Sequence, residues 1–165
     1  MENRVFNILI VEDVPLYIEG YKMYLEEFGG QNGNWNFEIK DGNNCDRAIF
    51  ILKSKVPAEG FDLAILDYKI APSTDGNYLS GEDIARYIRT KFPRTQILFN
   101  IEAEKPVILG LLKNINPEGI LLKTETTGQI IIRAITEILQ GGSYYGKSVL
   151  HLMKLPFGMD LILDE

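Results

Sequence analysis

Three carboxylates stand out in the sequence because each follows a short apolar run. Glu12 and Asp13 come directly after Val11, and Asp67 comes directly after Leu66. Three carboxylates in one crevice would repel each other, and a hard divalent cation would compensate that repulsion. Oxygen ligands with no nearby histidine or cysteine favour Mg²⁺, or Mn²⁺, over Zn²⁺. An aspartate beside such a cation can accept a phosphoryl group as an aspartyl phosphate.

Two further polar residues occur at the ends of apolar runs. Asn100 lies near the end of one run, and Lys123 comes directly after another. A lysine beside the cation would help to neutralise the charge on a transferring phosphoryl group. Asn100 can donate a hydrogen bond to a phosphate, but an asparagine at a strand end can equally serve as a cap, so both roles stay open.

Short apolar runs also predict the strands that must position these residues. Four of the runs are nearly continuous in apolar character, which is typical of strands buried on both faces of a parallel sheet. A fifth segment alternates apolar and polar residues and predicts an edge strand with one wet face. In chain order the five segments are Val5–Val11, Trp35–Ile39, Leu63–Leu66, Ile97–Ile101 and Ile120–Leu122.

Amphipathic segments separate the predicted strands and indicate helices. Pro15 suits a first helical turn, Gly29 and Gly30 predict a helix end, and Ser80 predicts a capped helix start. The predicted helices are Val14–Phe28, Asn44–Lys53, one beginning at Ser80, one beginning at Pro106, and about Thr127–Gln140.

The alternation of strand and helix five times predicts an α/β fold with a doubly wound, five-stranded parallel sheet. Right-handed crossovers and a half-wet second strand at the edge favour the strand order 2-1-3-4-5, as in flavodoxin. Sites in such sheets form at the carboxyl ends of the strands, where the winding direction switches. We therefore expect Glu12, Asp13 and Asp67 to converge, with Asn100 and Lys123 approaching from the side.

Bulk composition limits the kinds of function. The chain has 165 residues, 45% of them hydrophobic, and its 17 basic and 23 acidic residues give a net charge of −6. An acidic chain without a basic run is a poor binder of nucleic acids or anionic membranes. The single cysteine, Cys45, cannot form an internal disulfide, and no signal peptide or membrane span is indicated. We expect a cytoplasmic protein with small-residue packing at Cys45 and a surface position for His151.

Taken together, these motifs resemble the receiver domain of two-component response regulators, the CheY-like family. The resemblance covers roughly residues 5–140. It is carried by the motifs ILIVEDV at 8–14, LDYKIAP at 66–72, SGEDIARYIR at 80–89 and GILLK at 119–123.

The resemblance implies a role for each site residue. Asp67 would be the phosphoacceptor and Asp13 the direct Mg²⁺ ligand, while Glu12 would act largely through water. The backbone carbonyl of Lys69 would complete the protein ligands, and Lys123 would pair with the phosphoryl oxygens. A sensor histidine kinase or a phosphotransfer protein would be the partner. The resemblance also implies a homodimer surface on the exposed side of the last helix.

The chain departs from the family pattern at two positions. The family usually has Ser or Thr at the end of the fourth strand, where this chain has Asn100, or Ile101 if the register differs by one. It usually has Tyr or Phe three residues before the lysine, where this chain has Ile120. These departures motivate an alternative function, a non-switching pseudo-receiver that serves as a protein-interaction module.

The last segment, residues 141–165, is predicted to be a linker or tail after the receiver domain of residues 1–140. Its GGSYY motif and a short helix at Lys147–Lys154 resemble the linker in regulators with a LuxR- or NarL-type helix-turn-helix. That output domain is absent from this chain, so we expect DNA contact only through such a domain.

Enzymatic alternatives fit the sequence less well. A phosphatase of the haloacid dehalogenase type needs a second aspartate two positions after the nucleophile, where this chain has Lys69. A dinucleotide enzyme needs a glycine-rich loop after the first strand, where this chain has Glu12 and Asp13. We therefore expect no enzyme activity beyond slow self-dephosphorylation.

Overall fold

A computed structural model describes residues 3–55 and 60–155 of the chain. The strands in these ranges form one parallel sheet in the order β2-β1-β3-β4-β5-β6. The predicted 2-1-3-4-5 order of the first five strands is confirmed. The strands are β1 (Arg4–Val11), β2 (Trp35–Gly42), β3 (Leu63–Leu66), β4 (Gln96–Ile101), β5 (Gly119–Leu122) and β6 (Tyr144–Tyr145).

Helices connect the strands at the predicted places. None of those in the described ranges is long and apolar enough to cross a membrane. The helices are α1 (Pro15–Asn32), α2 (Cys45–Lys53), α3 (Gly81–Lys91), α4 (Lys105–Asn114), α5 (Gly128–Leu139) and α6 (Lys147–Lys154), with a 3₁₀ turn at Lys123–Glu125.

The end of α1 differs from the prediction. We expected Gly29 and Gly30 to stop this helix, but it continues to Asn32 and ends at Gly33, whose φ is 47°. Gly29 serves close packing instead, because a Cβ there would lie 2.8 Å from the carbonyl oxygen of Trp35 in the neighbouring strand. Gly29 therefore marks the approach of the helix to β2, and the positive φ that favours glycine occurs later, at Gly33.

The sheet separates two apolar layers. Helices α2, α3, α4 and α6 pack on one face, and α1 and α5 pack on the other. Side chains alternate between the layers, so Leu9 and Val11 of β1 face the first layer while Ile8 and Ile10 face the second. Since Glu12 is the next residue, the alternation directs it to the layer of α1 and α5.

The edge strand β2 has the alternating exposure that the sequence predicted, because only one of its faces is covered. At the opposite edge, the short strand β6 pairs in parallel with β5. These residues belong to the predicted tail, and a sixth strand was not predicted. The predicted helix Lys147–Lys154 is confirmed as α6, and residues 156–165 of the predicted tail lie outside the described residues.

The N-terminus of α3 is pressed against the chain just after β3. Gly81 donates its N–H to the carbonyl oxygen of Tyr68 at 2.8 Å, and a Cβ on Gly81 would lie only 1.8 Å from the carbonyl oxygen of Asp67. Only glycine permits this approach without moving the backbone that holds Asp67.

We predict that Gly81→Ala lowers the free energy of unfolding by about 1–3 kcal/mol, since the added methyl group must displace backbone. Gly30→Ala is the matched control, because a Cβ there meets nothing within 4 Å. Alanine inside α1 should raise stability by roughly 0.5–1 kcal/mol. Urea unfolding of both variants checks the prediction, and equal effects of the two substitutions would contradict it.

Candidate functional site

The Lys123 ammonium lies between two carboxylates at the carboxyl ends of the central strands. Its Nζ atom is 2.8 Å from Glu12 Oε1 and 2.9 Å from Asp67 Oδ2. The same atom lies 4.2 Å from the ring centroid of Tyr17, within cation–π range. All three charged side chains are almost wholly buried, with at most 7% of any of them exposed.

Strand register explains why Glu12 and Asp67 meet. In the parallel pair β1 and β3, Val11 lies opposite Leu66, and the Asp67 N–H donates to the carbonyl oxygen of Val11 at 2.9 Å. Glu12 and Asp67 are each the next residue, so both point into the layer of α1 and α5. Lys123 is the first residue after β5 and reaches back across β4 to them.

A carboxylate cluster forms around this point. Glu12, Asp13 and Asp67 each offer an oxygen, and these oxygens lie within 4.8 Å of one another. Glu12 and Asp67 are buried, while Asp13 is exposed. At full ionisation the three carboxylates and one ammonium leave two negative charges. The all-oxygen donor set and this excess charge fit Mg²⁺, or Mn²⁺, bound from the solvent side.

Burial and the neighbouring charges both act on the protonation of Glu12 and Lys123. Burial raises the pKa of Glu12 from 4.5 to about 7, assisted by the nearby charge of Asp67 and opposed by Lys123. Burial lowers the pKa of Lys123, but its contacts with Glu12 and Asp67 outweigh burial and hold the pKa above its ordinary value. Lys123 therefore stays positively charged at neutral pH.

Glu12 Oε1 keeps some coordinating capacity. It is buried and makes no hydrogen bond in the described part of the chain, although Lys123 Nζ is within ion-pair distance. We therefore regard the Glu12–Lys123 contact as Coulombic and not as an aligned hydrogen bond. Glu12 Oε2 is held by the Val14 N–H at 3.2 Å. Because Oε1 accepts no hydrogen bond, a water molecule bound to a cation could donate one to it.

Lys69 lies in the loop after Asp67. Its side chain is exposed, and it borders an open cleft together with Asp13 and the N-terminal residues of α3. This placement is compatible with the role that the family resemblance implies for its backbone carbonyl, which stays a prediction.

Asn100 lies on the same face of the sheet but has other partners. Its Nδ2 donates to the Tyr21 hydroxyl at 2.7 Å, and its Oδ1 accepts from the Thr126 hydroxyl at 3.2 Å. The described hydrogen bonds of Asn100 thus lead to α1 and to the turn before α5, and none of them reaches Asp67 or Lys123. Ile101 and Ile120 are completely buried in the opposite layer, with α2, α3 and α4.

Tyr17 and Tyr21 of α1 also border the site, and neither was predicted from the sequence to do so. A usable signal was present, because α1 begins only three residues after Glu12. Its first inward side chains must therefore lie above the carboxyl ends of the strands. Tyr17 covers Lys123, and Tyr21 holds Asn100.

Cys45 and His151 show no feature of a reactive site in the described structure. Cys45 is buried at the start of α2, where burial raises the pKa of its thiol to about 11, as expected for packing. His151 is exposed on α6.

Comparison with known proteins gives matches among solved structures, whereas no family model and no curated protein matches the sequence. The isolated receiver domain of RcsB from Salmonella enterica serovar Typhimurium, solved with the phosphomimetic BeF3−, is 22% identical with a TM-score of 0.67. It matches over 90% of this chain and 99% of that one.

Two further solved structures are similar. A CheY-like receiver domain protein from Methanospirillum hungatei JF-1 is 17% identical with a TM-score of 0.65, over 84% of this chain and 96% of that one. An RcsB chain from dimers bound to two parallel DNAs is 21% identical with a TM-score of 0.70, over 92% of this chain and 69% of that one. The expected CheY-like fold is confirmed: this chain has the fold of a response regulator receiver domain.

Proposed function

We propose that this chain is a phosphorylation-receiving signalling domain in which Asp67 accepts a phosphoryl group in the presence of Mg²⁺. The observation that carries the proposal is the convergence of Asp67, two further carboxylates and the buried Lys123 ammonium at neighbouring strand ends. The family resemblance implies an acceptor aspartate at this point, and Asp67 lies there beside two further carboxylates and Lys123.

The two carboxylate oxygens of Asp67 have different hydrogen-bond donors. Oδ1 accepts the Tyr68 N–H at 2.7 Å, and Oδ2 accepts from Lys123 Nζ at 2.9 Å. In the transfer, one carboxylate oxygen forms a bond to phosphorus. The bond between phosphorus and the donor's leaving atom breaks, and the electron pair goes to the leaving group. Lys123, already beside Asp67, would follow the phosphoryl oxygens and balance their charge.

Asp13, Asp67, Glu12 through water and the Lys69 carbonyl would hold the cation, as the resemblance implies. When bound, Mg²⁺ would neutralise charge on the transferring group. Mn²⁺ offers the same chemistry and is the expected substitute.

The proposed partner is a sensor histidine kinase or a phosphotransfer protein in the cytoplasm. The acidic net charge of −6 argues against direct DNA binding by this chain, so any effect on transcription would need an output domain. The dimers and DNA complexes described for RcsB make a homodimer a reasonable arrangement to test. We propose no enzymatic turnover beyond slow self-dephosphorylation.

Incubation with acetyl phosphate tests the proposal. We expect the intact mass to rise by one phosphoryl group when Mg²⁺ is present and to stay unchanged when EDTA replaces it. Mn²⁺ should restore the labelling. Labelling that is independent of the metal, or no labelling at any Mg²⁺ concentration, would contradict the proposal.

A second candidate is a non-switching pseudo-receiver, a protein-interaction module. It is favoured by the burial of Ile120 and by the hydrogen bonds that tie Asn100 to Tyr21 and Thr126. Amide exchange with beryllofluoride discriminates the two functions. Protection at Asp67 without any change over residues 101–125 would support the module, and a change there would support the switch.

A further inference from the structure

The segment after α5 is attached to the free edge of β5. The Tyr144 N–H donates to the carbonyl oxygen of Glu118 at 3.0 Å, and the Gly146 N–H donates to that of Ile120 at 2.9 Å. The Tyr145 hydroxyl donates to the carbonyl oxygen of Pro117 at 2.7 Å. Through these bonds β6 pairs with β5 and covers the edge of that strand.

Helix α6 then turns onto the face of the sheet that α4 covers. Val149 is completely buried in that layer, and Leu152 packs against the same cluster. Three apolar side chains border the space between α6 and the rest of the protein. They are Ala103 in the loop before α4, Ile108 in α4 and Leu122 in β5. Without α6 these apolar side chains would face solvent.

One carboxylate joins α6 to the candidate site. Glu125 accepts the Ser148 N–H at 3.3 Å and also accepts a short hydrogen bond from the Ser148 hydroxyl. A carboxylate at this end of a helix satisfies a free N–H and suits the helix dipole. Glu125 belongs to the same 3₁₀ turn as Lys123 and follows it by only two residues. A single tight turn therefore links the ammonium between Glu12 and Asp67 to the first turn of α6.

We propose that residues 144–154 form a tail latch that covers the surface of α4 and β5, and that occupancy of Asp67 controls the latch through the 3₁₀ turn. The coupling rests on the proposed function, whereas the closure of the latch by Glu125 does not. In the resting state Lys123 is held by Glu12 and Asp67, and Glu125 caps α6. A phosphoryl group on Asp67 draws Lys123 away from Glu12, which shifts the turn and removes Glu125 from Ser148. The tail latch then opens and exposes the apolar surface beneath it.

Hydrogen exchange of the full chain, read in peptides that cover α6, tests the closure first. Ser148→Ala and Glu125→Ala should each raise the exchange rate of α6 amides by roughly fivefold, the size expected for the loss of a helix cap. Ser143→Ala is the matched control, because this exposed serine precedes β6 and should leave α6 exchange unchanged. Wild-type exchange in both Ser148→Ala and Glu125→Ala would overturn the latch.

Beryllofluoride with Mg²⁺ tests the coupling. We expect a similar rise in α6 exchange in the wild-type chain and little further rise in Ser148→Ala, whose latch is already open. Protection of the peptide around Asp67 reports separately whether the mimic binds. A bound mimic with unchanged α6 exchange would overturn the coupling.

If the mimic does not bind, the proposed function fails, but the coupling can still be tested. Lys123→Ala frees the 3₁₀ turn from Glu12 and Asp67 without any phosphoryl chemistry. It should raise α6 exchange as Ser148→Ala does. Unchanged α6 exchange in Lys123→Ala would show that the turn does not transmit the state of the site.

Discussion

Replacing Asp67 by asparagine is expected to abolish labelling by acetyl phosphate while leaving the fold intact. Asparagine has a single accepting oxygen, so it keeps one of the two hydrogen bonds that Asp67 accepts, from the Tyr68 N–H or from Lys123, and the fold should survive the loss of the other. A neutral amide lacks the negative charge that makes the carboxylate oxygen a nucleophile, so no aspartyl phosphate can form. The loss of one carboxylate should also weaken Mg²⁺ binding.

Intact mass after acetyl phosphate treatment measures this effect. Asp62→Asn is the matched control, because Asp62 precedes the other end of β3 and its Oδ2 accepts the Asn7 N–H at 2.7 Å. We expect wild-type labelling in the control. Labelling that persists in Asp67→Asn would place the acceptor elsewhere, and equal loss in both variants would point to a general effect on the fold.

Replacing Lys123 by alanine is expected to change two properties in opposite directions. The rate of labelling should fall by about a hundredfold, which is typical when a preorganised charge partner of the transferring group is removed. Mg²⁺ should bind more tightly, by roughly tenfold, because the three carboxylates lose the ammonium that competes with the cation for them. The burial of Lys123 between Glu12 and Asp67 is the reason to expect large effects.

Labelling kinetics and Mg²⁺ titration by calorimetry measure the two effects on the same protein samples. Lys91→Ala serves as the control, since Lys91 is exposed at the end of α3 and should alter neither property. A parallel fall in labelling and in Mg²⁺ affinity would indicate damage to the site as a whole and would contradict the predicted competition.

The strands and their order were predictable because burial on both faces leaves a direct mark on the sequence. The run Leu63–Leu66 is an apolar strand in the sequence and in the structure, and the polar residue after it marks where the strand leaves the core. Parallel strands all end at one edge, so Glu12 and Asp67 were expected to meet there, and their ion pairs with Lys123 show that they do.

The end of α1 and the partners of Asn100 were not predictable in the same way. A glycine near the end of a helix can either stop the helix or allow a strand to pack closely against it. For Gly29 only the position of Trp35 in the folded chain distinguishes the two roles. Asn100 could cap a strand or face a phosphate. Its bonds to Tyr21 and Thr126 depend on how α1 and α5 lie across the sheet.

Local patterns in the sequence were sufficient to predict the α/β fold, the order of the five central strands and the charged residues at their carboxyl ends. Those features follow from local patterns of burial and from the shared direction of parallel strands. Three contacts became known from the folded chain alone: Lys123 lies between Glu12 and Asp67, Tyr17 covers Lys123, and Glu125 caps α6. These contacts join segments distant in the chain, and their geometry depends on packing that no local pattern encodes.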